Sequence, residues 1–282
     1  MERGKNLIYE DLKDFDILTP RVVSMIRGGP FKIKGGKIVQ ELPVGFEPET
    51  PWIFQPGDEK RSCRRWNVVY FQLYGIIPRG CFNCWKVVTR PKSLSDLFKI
   101  RSVQRDLGIA GKCGLEERRA SSHKGLYAAF WYCPMGGGLE GARETHRKVE
   151  YAVHKAIGMQ NRVILKRACT EMEDGAGPSD KWVFPPIQHR VENYLDNIWE
   201  IEEESTQQPS FLKIHIMKRW IEYAWENRDE TVREFVQNPE LSFGLVPTTT
   251  YQEGSTATPE QPAVEVERKD IGPNLQRLQD YL

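Results

Sequence analysis

The sequence predicts a mixed α+β protein, and three observations carry that expectation. Between Cys84 and Glu171 the chain alternates strand–helix–strand twice over. Both helical stretches carry terminal signals and one apolar face. The runs between them are rich in Val, Ile, Tyr, Phe and Trp, which suit a pleated, half-buried surface. The first unit reads CWKVVTR (Cys84 to Arg90), SLSDLFKIRSVQRDLG (Ser93 to Gly108) and GKCGLEERR (Gly111 to Arg119). The second reads GLYAAFWYC (Gly125 to Cys133), GLEGARETHRKVEYAVHKAIG (Gly138 to Gly158) and RVILKRACTE (Arg162 to Glu171).

Ser93 is placed to cap the first helix, with Asp96 in its first turn where a carboxylate suits the helix dipole. Leu94, Leu97, Phe98, Ile100 and Val103 give that helix its apolar side, and Gly108 ends it. In the second helix Ala142, Thr145, Val149, Ala152, Val153 and Ala156 form one stripe that Gly158 closes. Two such units in succession resemble the split βαβ of the ferredoxin-like sandwich. The centre of the chain, residues 61–182, is therefore expected to be a ferredoxin-like βαββαβ domain. In such a sheet the first strand lies antiparallel to the fourth.

Three further parts surround this centre. Residues 1–60 form an amino-terminal extension, in which PFKIK-GG-KIVQEL reads as a β-hairpin because Gly35-Gly36 accepts the positive φ of a tight turn. Residues 66–77 (WNVVYFQLYGII) are strongly apolar and read as a buried strand or a short helix, with length and β-branching leaning toward the strand. Residues 183–240 are expected to be a helical hairpin. Its first helix carries Val191, Tyr194, Leu195, Ile198 and Ile201, and its second Phe211, Ile214, Met217, Trp220 and Trp225. Residues 241–282 are rich in Thr, Pro, Glu and Gln and read as a flexible acidic tail. Leu275, Leu278 and Leu282 at its end are spaced for one face of a short helix, which reads as a frayed end or as a docking peptide for a protein partner.

With 282 residues the chain can bury a substantial core. The sequence has neither an apolar run of membrane-spanning length nor a signal-peptide core after Met1, so a cytoplasmic protein without a membrane partner is expected. The net charge of +1 hides a segregation: residues 60–125 hold 15 Lys/Arg against 4 Asp/Glu, whereas residues 170–282 hold 10 against 22. A basic block of this kind draws polyanions, and the acidic part competes with them for it.

Six cysteines in a reducing compartment read as thiols or metal ligands. Cys81 and Cys84 form a CxxC, a spacing that lets two thiolates reach one tetrahedral ion. The ferredoxin-like order brings Cys169, late in the fourth strand, near the start of the first, and Cys63 lies just upstream. Cys63, Cys81, Cys84 and Cys169 are thus the expected ligands of a zinc site, with an iron–sulfur cluster as the alternative occupant. The same topology is expected to leave Cys113 and Cys133 paired at the far end of the sheet as packed core residues. A redox dithiol at Cys81 and Cys84 is disfavoured, because a reactive motif opens a helix and this one opens a strand.

Nucleic acid is the expected partner, DNA or RNA undecided. Arg61, Arg64, Arg65, Lys86, Arg90, Lys112, Arg118, Arg119 and Lys124 supply phosphate contacts, and Tyr127 and Trp131 supply stacking. Lys124 to Tyr132 resembles in part the signature strand of RNA-recognition motifs, although Ala129 stands where the central aromatic belongs. An alternative is a metal-dependent nuclease using Glu116, Glu117, Glu171, Glu173, Asp174 and Asp180 after the second and fourth strands. Another alternative is an assembly protein whose tail docks a partner. His146, Glu150 and His154 line one helix flank together with Arg143 and Arg147, which reads as a solvated charge ladder. The sequence holds no Walker loop, no G-x-S-x-G and no H-E-x-x-H.

Overall fold

The computed structural model describes residues 19–28, 31–40, 50–57, 59, 61–116, 125–201, 207–244 and 275–282. The acidic stretch 245–274 lies outside them. The protein is mixed α+β with two sheets. In chain order, α1 (Pro20–Gly28) precedes β1 (Phe31–Lys34), β2 (Lys37–Gln40) and β3 (Trp52–Gln55). Next come α2 (Cys63–Arg65), which runs into a π-helical stretch (Trp66–Leu73), and α3 (Arg79–Phe82). The central elements are β4 (Trp85–Thr89), α4 (Leu94–Leu107), β5 (Gly111–Leu115), β6 (Tyr127–Tyr132), α5 (Gly138–Ile157) and β7 (Val163–Arg167). The chain then forms α6 (Thr170–Ala176), α7 (Gln188–Ile198), β8 (Trp199–Glu200), α8 (Ser210–Glu226), α9 (Pro239–Phe243) and α10 (Leu275–Gln279).

The larger sheet has the order β3-β5-β6-β4-β7, and every neighbouring pair in it is antiparallel. Register places Trp85 opposite Arg167 and Lys86 opposite Tyr132. Strand alternation divides its side chains. Ile53, Val87, Cys113, Leu115, Tyr127, Ala129 and Trp131 join one core with α4, α5 and α8. The intervening residues face the other way. The outer edge of β3 is closed by Gln208, which accepts from Phe54 N at 2.9 Å and donates to Trp52 O at 2.9 Å.

The central helices follow their sequence signals. Ser93 Oγ accepts from Asp96 N at 3.1 Å, and Gly108 takes φ +61 at the C-cap. The start of α4 also receives help from far along the chain. Asp229 Oδ2 accepts from Leu94 N at 2.6 Å and from Tyr127 OH at 2.7 Å, and Thr231 Oγ1 accepts from Ser95 N at 3.2 Å. Asp229→Ala leaves Leu94 N and Tyr127 OH, both part-buried, without that acceptor. It is expected to cost about 1–3 kcal/mol in urea unfolding.

A second core is built from Val22, Phe31, Ile38, Val69, Tyr70, Leu73, Tyr74, Val191, Leu195 and Trp199. Here the hairpin forms as the sequence predicts, with Phe31 opposite Gln40 and with Gly35 and Gly36 at φ +56 and +78. It gains a parallel partner in β8, with Ile38 beside Trp199. The strand expected over residues 66–77 is instead helical. Tyr74 N donates to Val69 O at 3.3 Å, an i to i−5 bond. A run that is apolar on every side has no period to read, and packing on two cores favours the wide helix.

Residues 188–226 do not build the expected two-helix hairpin core. Val191 and Leu195 of α7 belong to the second core, whereas Leu212, Ile216, Met217, Trp220 and Ile221 of α8 belong to the first. Periodicity reports that a helix has an apolar face, not which surface receives it. The terminal residues also return to the first core. Leu278 is 1% exposed there, and Tyr281 packs 4.7 Å from Phe98. The end of the chain, which the sequence reads as a frayed end or a docking peptide, packs on the chain's own core. Among the described residues, no helix is long and apolar enough to cross a membrane.

Candidate metal centre and sheet face

Strand order brings two of the four cysteines singled out by spacing, Cys84 and Cys169, to the same end of the sheet. Because β4 begins where β7 ends, Cys84 just before β4 faces the residues just after β7, and Ala168 N donates to Cys84 O at 2.7 Å. Ala168 adopts φ +55, an uncommon left-handed turn for a residue with a Cβ. That turn ends β7 and sets Cys169 at the N-cap of α6 rather than within the strand. Cys81 lies in α3 and Cys63 opens α2. Cys81, Ala168 and Met172 form a small buried cluster, and Trp66 packs on both this cluster and the second core. Trp66 thereby ties the Cys81 cluster to the second core.

Each thiol lies within the electrostatic reach of the others. Burial, then Cys84 and Cys169, push the Cys63 thiol up to about 12, although Cys63 as a residue remains exposed. Burial foremost, then Cys84, Cys169 and Cys63, raises Cys81 well above the ordinary thiol range, and burial raises Cys84 as well. Such thiols are poor nucleophiles, which disfavours a redox dithiol. Among the described residues, no group of three or more His, Cys, Asp or Glu side chains forms a ready coordination shell.

Two cations border the cluster. Arg61 Nη1 donates to Cys84 Sγ at 3.2 Å, and its Nη2 donates to Cys133 O at 2.5 Å and pairs with Glu59 at 3.4 Å. Lys86, 6% exposed, donates to Cys169 Sγ at 3.5 Å. Burial alone would lower the Lys86 ammonium, but Cys169, Tyr132 and Cys84 outweigh it and hold it raised. Lys86 is thus a buried cation whose hydrogen bond goes to the Cys169 sulfur.

Beyond the cluster, the sheet face opposite α4 and α5 mixes lysines with rings. Trp52 of β3, Lys112 of β5, Phe130 and Tyr132 of β6, Lys86 of β4 and Lys166 of β7 alternate with the core residues. Lys112 Nζ stands 4.3 Å from the Trp52 ring centre and 5.7 Å from that of Phe130. Lys166 pairs with Glu173. Burial and then the Lys86 charge lower both Lys112 and Lys166, so the three ammonium groups share one field.

The expected nucleic-acid residues are distributed differently from their sequence grouping. Tyr127 and Trp131 are 0% exposed on the helix side of the sheet, where neither ring can meet a base. Phe130 and Tyr132, their immediate neighbours, hold the opposite face, and sequence reasoning missed them together with Trp52. Alternation along β6 was the available signal, but both faces of that strand are aromatic, so no polar residue marks the outside. Arg65 is bound to Asp196 and to Trp199 O at 3.1 Å each, and Arg90 pairs with Glu116 at 3.5 Å. Arg64 lies in α2. Arg118, Arg119 and Lys124 lie outside the described residues.

Cys113 and Cys133 do not pair at the far end of the sheet. Cys113 sits opposite Ala129 in mid-strand, whereas Cys133 N donates to Trp85 O at 3.0 Å, at the Cys84 end. Strand direction decides this, since β6 runs toward the start of β4. Direction also separates the carboxylates proposed for a nuclease. Glu116 follows β5 at the Thr89 end, while Glu171, Glu173 and Asp174 follow β7 at the Trp85 end, and Glu117 lies outside the described residues. His146 and His154 meet the carbonyl oxygens of Val163 at 3.2 Å and Asn161 at 3.1 Å, holding the turn from α5 into β7. No protein-family model, curated protein or solved structure matches this chain.

Proposed function

We propose that this chain is a cytoplasmic nucleic-acid-binding protein whose central unit is ferredoxin-like, with a cysteine-thiolate structural zinc site. The fold reading is supported by the order β5-β6-β4-β7, with α4 and α5 on one face and β3 added beside β5. Six free cysteines suit a reducing compartment.

One observation carries the binding reading. Lys112 stands over Trp52 and Phe130 on the face away from the helices, with Lys166 two strands beyond Phe130. Ammonium groups answer phosphates and ring faces answer unstacked bases, so a single strand fits this surface better than a duplex. The metal reading is supported by the electrostatic coupling of Cys63 and Cys81 to Cys84 and Cys169, with Arg61 on the Cys84 sulfur and Lys86 on that of Cys169.

The test is binding of single- and double-stranded DNA and RNA across a salt series. Single strands are expected to bind more tightly. The logarithm of affinity should fall with the logarithm of salt by about 0.7 per phosphate contacted, so by about 1.4 if Lys112 and Lys166 each meet one. Lys112→Ala should remove about half of that slope. Affinity that ignores both salt and Lys112 would reject the reading.

A further inference from the structure

We infer that the sheet face holds the end of a nucleic-acid strand, with Lys86 and Lys112 gripping a terminal phosphate monoester and Phe130 and Trp52 left for the first bases. The inference rests on the binding reading above and adds which part of the polymer this face takes. Lys86 Nζ and Lys112 Nζ each stand 5.7 Å from the Phe130 ring centre, so two ammonium groups share one ring. Register supplies a third cation, because Lys86 lies opposite Lys166 across β4 and β7. Like charges set directly opposite each other cost stability, a cost that a bound anion removes.

Charge and access both select a strand end. Among the described residues Glu173 pairs with Lys166, Glu59 with Arg61 and Glu116 with Arg90, whereas Lys86 and Lys112 form no ion pair. Lys86 instead donates to Cys169 Sγ at 3.5 Å, a weak acceptor. The Lys86 charge also acts on Lys112 more strongly than Glu171 or Glu116 does. An internal phosphodiester brings one negative charge, but a terminal monoester brings about −1.5 to −2 and three acceptor oxygens, enough for two ammonium groups. Exposure falls along the same face. Trp52 on β3, Lys112 and Phe130 are half-buried, whereas Lys86 on the inner strand β4 is 6% exposed. Arg61 closes the far side, its Cζ 5.2 Å from the Tyr132 ring centre. The middle of a strand must both enter and leave its contact, so a cation reached from one side suits a terminus.

The experiment uses the full chain and fluorescence anisotropy on one single-stranded sequence, made with a 5′-phosphate, with a 3′-phosphate, with hydroxyl ends, or closed into a circle. A phosphate-ended form is expected to bind about 10–100-fold more tightly than the hydroxyl-ended one, the worth of a hydrogen bond between charged groups. The circle should bind no better than the hydroxyl-ended form. Lys86→Met and Lys112→Met should each bring the preference close to one, whereas Lys148→Met, on the exposed side of α5, should keep it. The wild-type comparison needs no variant, so it stands even if Lys86→Met fails to fold. Salt-sensitive binding with equal affinity for every form would overturn end recognition and leave the binding reading standing. A preference that survives both Met variants would put the phosphate elsewhere on the chain and overturn the assignment. A nucleoside monophosphate that binds as tightly as the phosphate-ended strand would overturn the strand end in favour of a small molecule. Failure of every form to bind at low salt would defeat the binding reading itself, and the inference with it.

Discussion

Trp131→Ala is expected to lower the unfolding free energy by about 3–5 kcal/mol, while Phe130→Ala, one residue away, costs far less. Trp131 is 0% exposed in the core between the sheet and its helices, so truncation leaves a cavity that the packed surroundings cannot close. Its Nε1 has no hydrogen-bond partner, so Trp131→Phe should cost clearly less than Trp131→Ala. Phe130 lies half-buried on the other face, against Trp52 at 5.6 Å and under the Lys112 ammonium. If that face binds single strands, Phe130→Ala should weaken binding by about 1–3 kcal/mol, the worth of one base stacked on a ring. Urea denaturation and a binding titration on the two variants separate the roles. Equal stability loss in both would show that the strand is buried on both sides.

Leu278→Ala is expected to cost about 2–5 kcal/mol, far more than a residue in a frayed tail would. Leu278 is 1% exposed and shares the first core with α4 and α8. Around it Tyr281 packs on Phe98, Arg105 Nη1 donates to Asp280 O at 2.8 Å, and Arg101 Nη2 donates to Leu282 O at 3.4 Å. Thermal and urea unfolding of the variant measure the cost. An unchanged midpoint would mean that this segment adds nothing to the core. A test of whether the acidic stretch competes with nucleic acid must therefore keep residues 275–282. Exchanging Glu253, Glu260, Glu265 and Glu267 for Gln does so, whereas truncating from residue 244 removes Leu278 as well.

How much of this was legible in the sequence varied with the kind of interaction. Ser93, Gly108 and Gly158 marked helix ends, and Gly35-Gly36 marked a hairpin turn, because caps and tight turns are satisfied within a few residues. The approach of Cys84 to Cys169 was also legible, since it needs only the antiparallel pairing of first and fourth strands. Residues 66–73 were misjudged as strand because a uniformly apolar run carries no period. Cys133 and the carboxylates were misplaced because their positions depend on which way each strand runs, and a list of strands does not state that.

The sequence by itself determined the local units: two strand–helix–strand repeats, a hairpin, two later amphipathic helices, and a set of four cysteines able to meet. Tertiary structure alone decided which surface each unit serves. It sent α7 to one core and α8 to the other, brought Leu278 home, and turned Trp131 inward while leaving Phe130 on the opposite face. The physical reason is that caps and turns are settled by neighbours along the chain, whereas burial is a competition among all apolar surfaces at once. That competition also placed Lys86 beside the Cys169 sulfur, a contact between residues 83 positions apart.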